Sequence, residues 1–193
     1  IPVFDPDSIL SHVNYQKQID RLREVVDIGD HSKTPSGRLL FDELYIEVLR
    51  RFITYVHMVP ASEDHHHAYT GGLLTHSIEA SIEALRWSKE LKCQITHMAD
   101  QDAQIKPVLD YAAWLGCLLH DVGKIMRDVS VDAVEVIHPF TKLPIPLKNP
   151  IVSWYPQKES LTQWAKSNHI SAYSVTWIRN RTHNRHNIDY SQN

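Results

Sequence analysis

Apolar residues recur at steps of three and four along most of this chain, and that spacing commits it to amphipathic helices. Phe41, Leu44, Tyr45, Val48, Phe52 and Val56 keep the rhythm until Pro60, which predicts a helix that ends before the proline. Leu74, Ile78, Ile82 and Leu85 repeat it after Thr70-Gly71-Gly72. Ala112 to Leu119 form the longest apolar run, read as the end of a buried helix, and Pro107 suits the first turn of that helix. A looser pattern of Ile9, Leu10, Val13, Leu22, Val25 and Val26 predicts one more helix over 7–28, with Gly29 as its stop. The apolar run is far short of the ~20 residues that span a bilayer, so no transmembrane helix is expected.

The texture changes after Asp128. Val129, Val131, Val134 and Val136 alternate in places, and Pro139, Pro144, Pro146, Pro150 and Pro156 punctuate the residues up to 158, which predicts a small β-hairpin and a proline-bound loop. Helical character returns over 161–178, with Trp164, Tyr173 and Trp177 available for packing, before a polar end at 179–193. At 193 residues the chain suits a single, mainly α domain. Its expected parts are N-terminal helices over 1–60, a core over 61–128, the hairpin and Pro-rich loop over 129–158, and a C-terminal helix with a basic tail over 159–193. It opens at Ile1 without a signal-type segment, which is expected of a piece cut from a longer protein. Cys93 and Cys117 are too far apart for a CxxC clip and read as buried thiols in a reducing compartment, hence a cytoplasmic location.

Histidine is the unusual component, with 13 residues, three of them consecutive at His65, His66 and His67. The sharpest local signal is Leu118-Leu119-His120-Asp121-Val122-Gly123-Lys124, where a His and an Asp close a helix. A neutral imidazole and a carboxylate make a mixed N,O site for a borderline or hard divalent metal, and a helix end holds ligands rigidly with one side open. The plain alternative is a C-terminal His favoured by the helix dipole, with a satisfied Asp beside it. Upstream, the triple His runs through Gly71-Gly72 into a helix carrying His76, and the glycines allow close backbone approach.

His76-Ser77, followed 44 residues later by His120-Asp121 and then Gly123-Lys124, resembles the HD-domain superfamily of metal-dependent phosphohydrolases. That resemblance implies an HD-domain helical bundle, here with a small β-hairpin insertion. It also implies that His76, His120 and Asp121 ligate a divalent metal that activates water against a phosphoester, with Lys124 as a phosphate contact. Mn is the first expectation, with Fe, Co, Ni, Zn or Mg as alternatives. Val59-Pro60-Ala61-Ser62-Glu63, the triple His, Gly-Gly-Leu-Leu and the late block from Tyr173 to Ser191 are similar to the amino-terminal domain of MOBH-type (TraI-like) conjugative relaxases. Those relaxases nick the origin of transfer of plasmids and integrative elements. The implied partners are single-stranded or nicked DNA at an origin of transfer and other proteins of conjugation in a bacterial cytoplasm. His-His-Ala-Tyr-x-Gly-Gly-Leu-Leu is also shared with HD-domain 3′-to-5′ exoribonucleases.

HD proteins usually supply a last ligand Asp well after the pair, and Asp189 is the late acid here. Binuclear members bind a second metal through later histidines, and His183 and His186 fall 62 and 65 residues after Asp121. His66 and His67 join Lys124 and Asp121 as catalytic candidates, while Tyr69 or Tyr190 would be the nucleophile of a covalent relaxase step. His138 and His169 stay undecided; His12, His31, His57 and His97 belong to no constellation and read as surface or packing.

A net charge of −3 excludes a uniformly basic coat for nucleic acid. The stretch from Ser160 to Ile188 nevertheless lacks Asp and Glu and carries Lys166, Arg179, Arg181 and Arg185, interleaved with aromatics. Cations beside aromatic faces suit single-stranded DNA, although the same aromatics could form core. Three functions fit these residues. The first is a metal-dependent DNA phosphodiesterase of the relaxase kind; the second is an HD-type 3′-to-5′ exonuclease or nucleotide phosphohydrolase; the third is a non-catalytic DNA-binding module with a structural metal.

Overall fold

The computed structural model describes residues 1–29, 31–92, 95–96, 98–149 and 152–178. Helices carry most of the regular structure, joined by a small antiparallel sheet.

The N-terminal helix expected over 7–28 is two helices. α1 (Pro6–Leu10) starts from Asp5, whose side chain accepts from the Asp7 amide, and α2 (Val13–Val26) restarts at His12, whose Nδ1 accepts from the Asn14 amide. Tyr15, Ile19, Leu22 and Val26 form the buried stripe of α2. It stops at Asp27, in the left-handed region at φ 56°, two residues before the expected Gly29. A π-helical turn (Asp42–Ile46) leads into α3 (Glu47–Val56), which buries Leu49, Phe52, Ile53 and Val56 and ends before Pro60 as expected.

α4 (Gly72–Glu90) buries Leu74, Ile78, Ile82 and Leu85, the residues its spacing marks. It packs along α5 (Ala99–Leu119). α5 departs from expectation twice. It starts eight residues before Pro107, which lies inside the helix, because Asp100 and Asp102 suit a first turn and the residues after them are tolerant of helix. Its apolar run is also only half covered: Trp114 and Leu118 are buried, whereas Leu119 is 40% exposed and Cys117 is partly exposed as a free thiol. Trp114 anchors the helix edge-on against Tyr45, with ring centroids 4.7 Å apart.

After the short α6 (Lys124–Arg127), β1 (Val129–Ile137) buries Val129, Val131 and Ala133 in alternation and pairs with β2 (Pro144–Pro146), forming the expected hairpin. His138 closes its turn, its Nδ1 accepting from the Thr141 amide at 3.1 Å. The helix expected over 161–178 is corrected. α7 (Leu161–Ser167) ends at Asn168, and β3 (Ile170–Trp177) pairs antiparallel with β1, giving sheet order β2-β1-β3. Ile170, Val175, Thr176 and two aromatics favour a pleated, half-buried strand, and the turn at His169 (φ 54°) breaks the helix first. The N-terminal segment lies on the outer side of β3, with Val3 donating to Ser171 O at 2.8 Å.

Trp164 and Tyr173 are buried, so they serve the core and offer no stacking face to DNA. Among the described residues, no helix is long and apolar enough to cross a membrane.

Candidate metal centre

Two helices deliver the site. Gly71 (φ 82°) turns the chain into α4, and backbone bonds from Gly71 to Met58 O (2.9 Å) and from Leu73 to Val59 O (3.1 Å) tie that turn to the segment after α3. Gly72 is required by proximity: a Cβ there would lie 1.9 Å from the His67 carbonyl oxygen. His76 follows one turn into α4. His120 caps the end of α5, and Asp121 begins the short turn into α6.

These three side chains converge. Asp121 Oδ2 lies 3.5 Å from His76 Nε2 and 3.4 Å from His120 Nε2, and the two imidazole centroids are 5.3 Å apart. One ligand atom from each residue can be chosen so that all lie within 4.8 Å of one another, and among the described residues this is the group that could hold a metal ion. His120 Nδ1 is 2.6 Å from Cys117 O, which can only accept, so Nδ1 carries a proton and Nε2 is the nitrogen turned toward Asp121. Burial pushes the His76 pKa below its ordinary value; Asp121 opposes that, and His120, His67 and Lys124 add to it. A neutral His76 presents a lone pair. Two imidazole nitrogens and one carboxylate fit a divalent borderline metal with open positions. The group opens on a hollow of about 380 Å³ whose lining includes Lys124 and Arg127. Lys124 Nζ donates to Asp121 Oδ2 at 2.7 Å and to Ala61 O at 3.2 Å, which holds a cation at the open side of the group.

The triple histidine divides. His65 and His66 are exposed, with Ser62 Oγ accepting from the His65 amide and donating to His66 O. His67, at φ 59°, turns inward: its ring lies 5.2 Å from that of His76, Nδ1 is 3.0 Å from Tyr69 Oη, and Nε2 is 3.8 Å from Glu79 Oε2. Glu79 carries no motif that marks it in the sequence, although its spacing of three from His76 places it beside that residue on the helix. Lys166 is exposed on α7 and lines a separate hollow with Val3, Phe4 and Asp5. The remaining expectations, His183, His186 and Asp189 as ligands, Arg179, Arg181 and Arg185 as DNA contacts and Tyr190 as nucleophile, lie outside the described residues.

A family model named TraI_2, with the description "Putative helicase", matches residues 3–192 of the chain. No curated protein matches it.

Proposed function

Because the chain belongs to the TraI_2 family along nearly its whole length, we propose that it is the metal-dependent phosphodiesterase domain of a conjugative relaxase, cleaving one DNA strand at an origin of transfer. The observation that carries this reading is the convergence of His76 with His120 and Asp121, which follow it by 44 and 45 residues in the sequence, with Lys124 at the open side. A His on one helix and a His-Asp pair closing the next is the arrangement expected of an HD-domain bundle. The family's description names a helicase, and the phosphodiesterase reading rests instead on the His/Asp group.

His76 Nε2, His120 Nε2 and Asp121 would hold the cation, with Mn²⁺ the first candidate. When bound, it would supply Lewis-acid polarisation of the phosphodiester and a lower pKa for an attacking water. Lys124 would neutralise charge building on the phosphoryl oxygens. Cys117 O keeps His120 in the tautomer that presents Nε2, and His67 buttresses the His76 ring.

The test is incubation of the chain and its full-length parent with end-labelled origin-of-transfer DNA and Mn²⁺. A single nick lost in Asp121→Ala supports the reading. A ladder of shortened products would replace it with an exonuclease, and DNA binding without turnover under any divalent metal would leave a docking module.

A further inference from the structure

A second hollow, of about 690 Å³, is lined in part by Thr75 and Glu79 of α4, the helix that carries His76. Phe4, Tyr15, Met58 and Tyr69 supply rings and an apolar floor; Gln18 and Glu79 supply polar atoms. Among the described residues, no lysine or arginine lines it. A phosphate would therefore meet the Glu79 carboxylate with no cation in the wall to offset it. On the other side of the centre, Lys124 and Arg127 line the smaller hollow. Asp121 and Asp128 line the smaller hollow too and pair with those two cations, so it offers donors for a phosphate, while the larger hollow offers aromatic faces for a base.

His67 links the wall of the larger hollow to the metal-ligand candidates. His67 lies against His76 on one side and faces Glu79 and Tyr69 on the other. Thr75 and Glu79 stand one turn apart on the same face of α4, and the contacts from Glu79 through His67 to His76 connect the hollow's wall to the His76–His120–Asp121 group.

Ser8, Asn14 and Thr70 supply groups that can donate or accept, and Gln18 supplies an acceptor without a partner. Gln18 Nε2 donates to Glu79 Oε1 at 3.1 Å, which fixes the amide and leaves Oε1 as an acceptor. The Oε1 of Gln18, a residue that lines the hollow, is buried with no partner, a cost in the free protein that an arriving N–H donor would remove after a small side-chain shift. The hydroxyls of Tyr15 and Thr75 are engaged with each other. At the rim, Tyr69 and Phe4 are 53% and 45% exposed and offer flat faces for stacking.

We infer that this hollow is a nucleobase subsite: it takes a base with an exocyclic amine (adenine, cytosine or guanine) turned out of single-stranded DNA. The neighbouring phosphate then lies at the metal centre. Only that placement of the phosphate rests on the phosphodiesterase reading; base binding stands without it.

The test uses fluorescein-labelled dT hexamers with one central dA, dC or dG, titrated with the chain in EDTA and followed by anisotropy. The amine-bearing hexamers should bind about five- to tenfold more tightly than all-dT. Gln18→Met should bring that preference within about twofold, and Tyr69→Ala, at an exposed position that folding tolerates, should weaken every hexamer. Hydrolysis of bis(p-nitrophenyl) phosphate with Mn²⁺ has no base to read and should be the same in wild type and Gln18→Met. Equal affinity for all hexamers, or a preference untouched by both substitutions, overturns the subsite. A preference without hydrolysis by wild type would overturn the phosphodiesterase reading and leave the subsite standing.

Discussion

Lys124 Nζ and Asp121 Oδ2 are hydrogen-bonded at 2.7 Å, and the same carboxylate oxygen is the one that His76 and His120 face. Lysine and a divalent cation therefore compete for one atom. Lys124→Met should leave Mn²⁺ affinity equal or higher, while phosphodiester turnover falls on the order of 10²-fold because a transition-state cation is gone. Calorimetric titration of Mn²⁺ beside a bis(p-nitrophenyl) phosphate assay separates the two effects. A tenfold loss of metal affinity would instead make Lys124 a structural brace.

Metal binding should also appear as stability. A ligand held only by the native state raises unfolding free energy by about 2.7 kcal/mol at a hundredfold excess over Kd. Mn²⁺ should raise the Tm of the wild-type chain, and His76→Ala, His120→Ala and Asp121→Ala should each abolish the shift. Differential scanning fluorimetry with and without Mn²⁺ checks this; an equal shift in all four proteins would place the metal elsewhere.

Much of the centre is legible in the sequence because its main residues sit on strongly periodic helices or adjoin one another. The apolar spacing of α4 places His76, and the adjacency of His120, Asp121 and Lys124 gives the rest. The other features depend on backbone that no periodicity encodes. Which of three histidines turns inward is decided by the left-handed turn at His67, and the tautomer of His120 by the carbonyl of Cys117. β3 resembles a helix in sequence for a specific reason. Ile170, Tyr173 and Trp177 are spaced by three and four like a helix face, and the buried residues Ile170 and Tyr173 depart from strict alternation. The register of β1 against β3 shifts around Glu135, so the strand's burial tracks that irregularity rather than a period of two. Pro107 misleads in the same way, since the polar turns before it carry no apolar stripe to announce a helix.

The two helical glycines should respond oppositely to alanine. At Gly72 the added Cβ meets the His67 carbonyl, which is backbone and part of the Ala61–His67 bond, so Gly72→Ala should cost about 2 kcal/mol or more and weaken metal binding by displacing His67. At Gly116, inside α5, a Cβ meets nothing within 4 Å, so Gly116→Ala should stabilise by roughly 0.5–1 kcal/mol through helix propensity alone. Urea midpoints for the two variants decide the matter, and a shift of the same sign in both would refute the packing argument.

His57 should make the fold acid-sensitive in a defined window. Its side chain is fully buried: Nδ1 lies 2.7 Å from Tyr173 Oη, and Nε2 is 3.0 Å from the Phe4 amide. Burial pushes its pKa down to about 4, whereas an exposed histidine in the unfolded chain titrates near 6.5. Between those values the unfolded chain binds a proton that the native state refuses, so stability falls as pH drops from about 6.5 to about 4. The loss from this residue is on the order of 3 kcal/mol, with none added below about 4. Urea unfolding at pH 7, 5.5 and 4.5 should show that decline in wild type. His57→Gln, less stable at pH 7 for want of the Tyr173 contact, should show a shallower one. Parallel declines in the two proteins would assign the acid sensitivity to carboxylates instead.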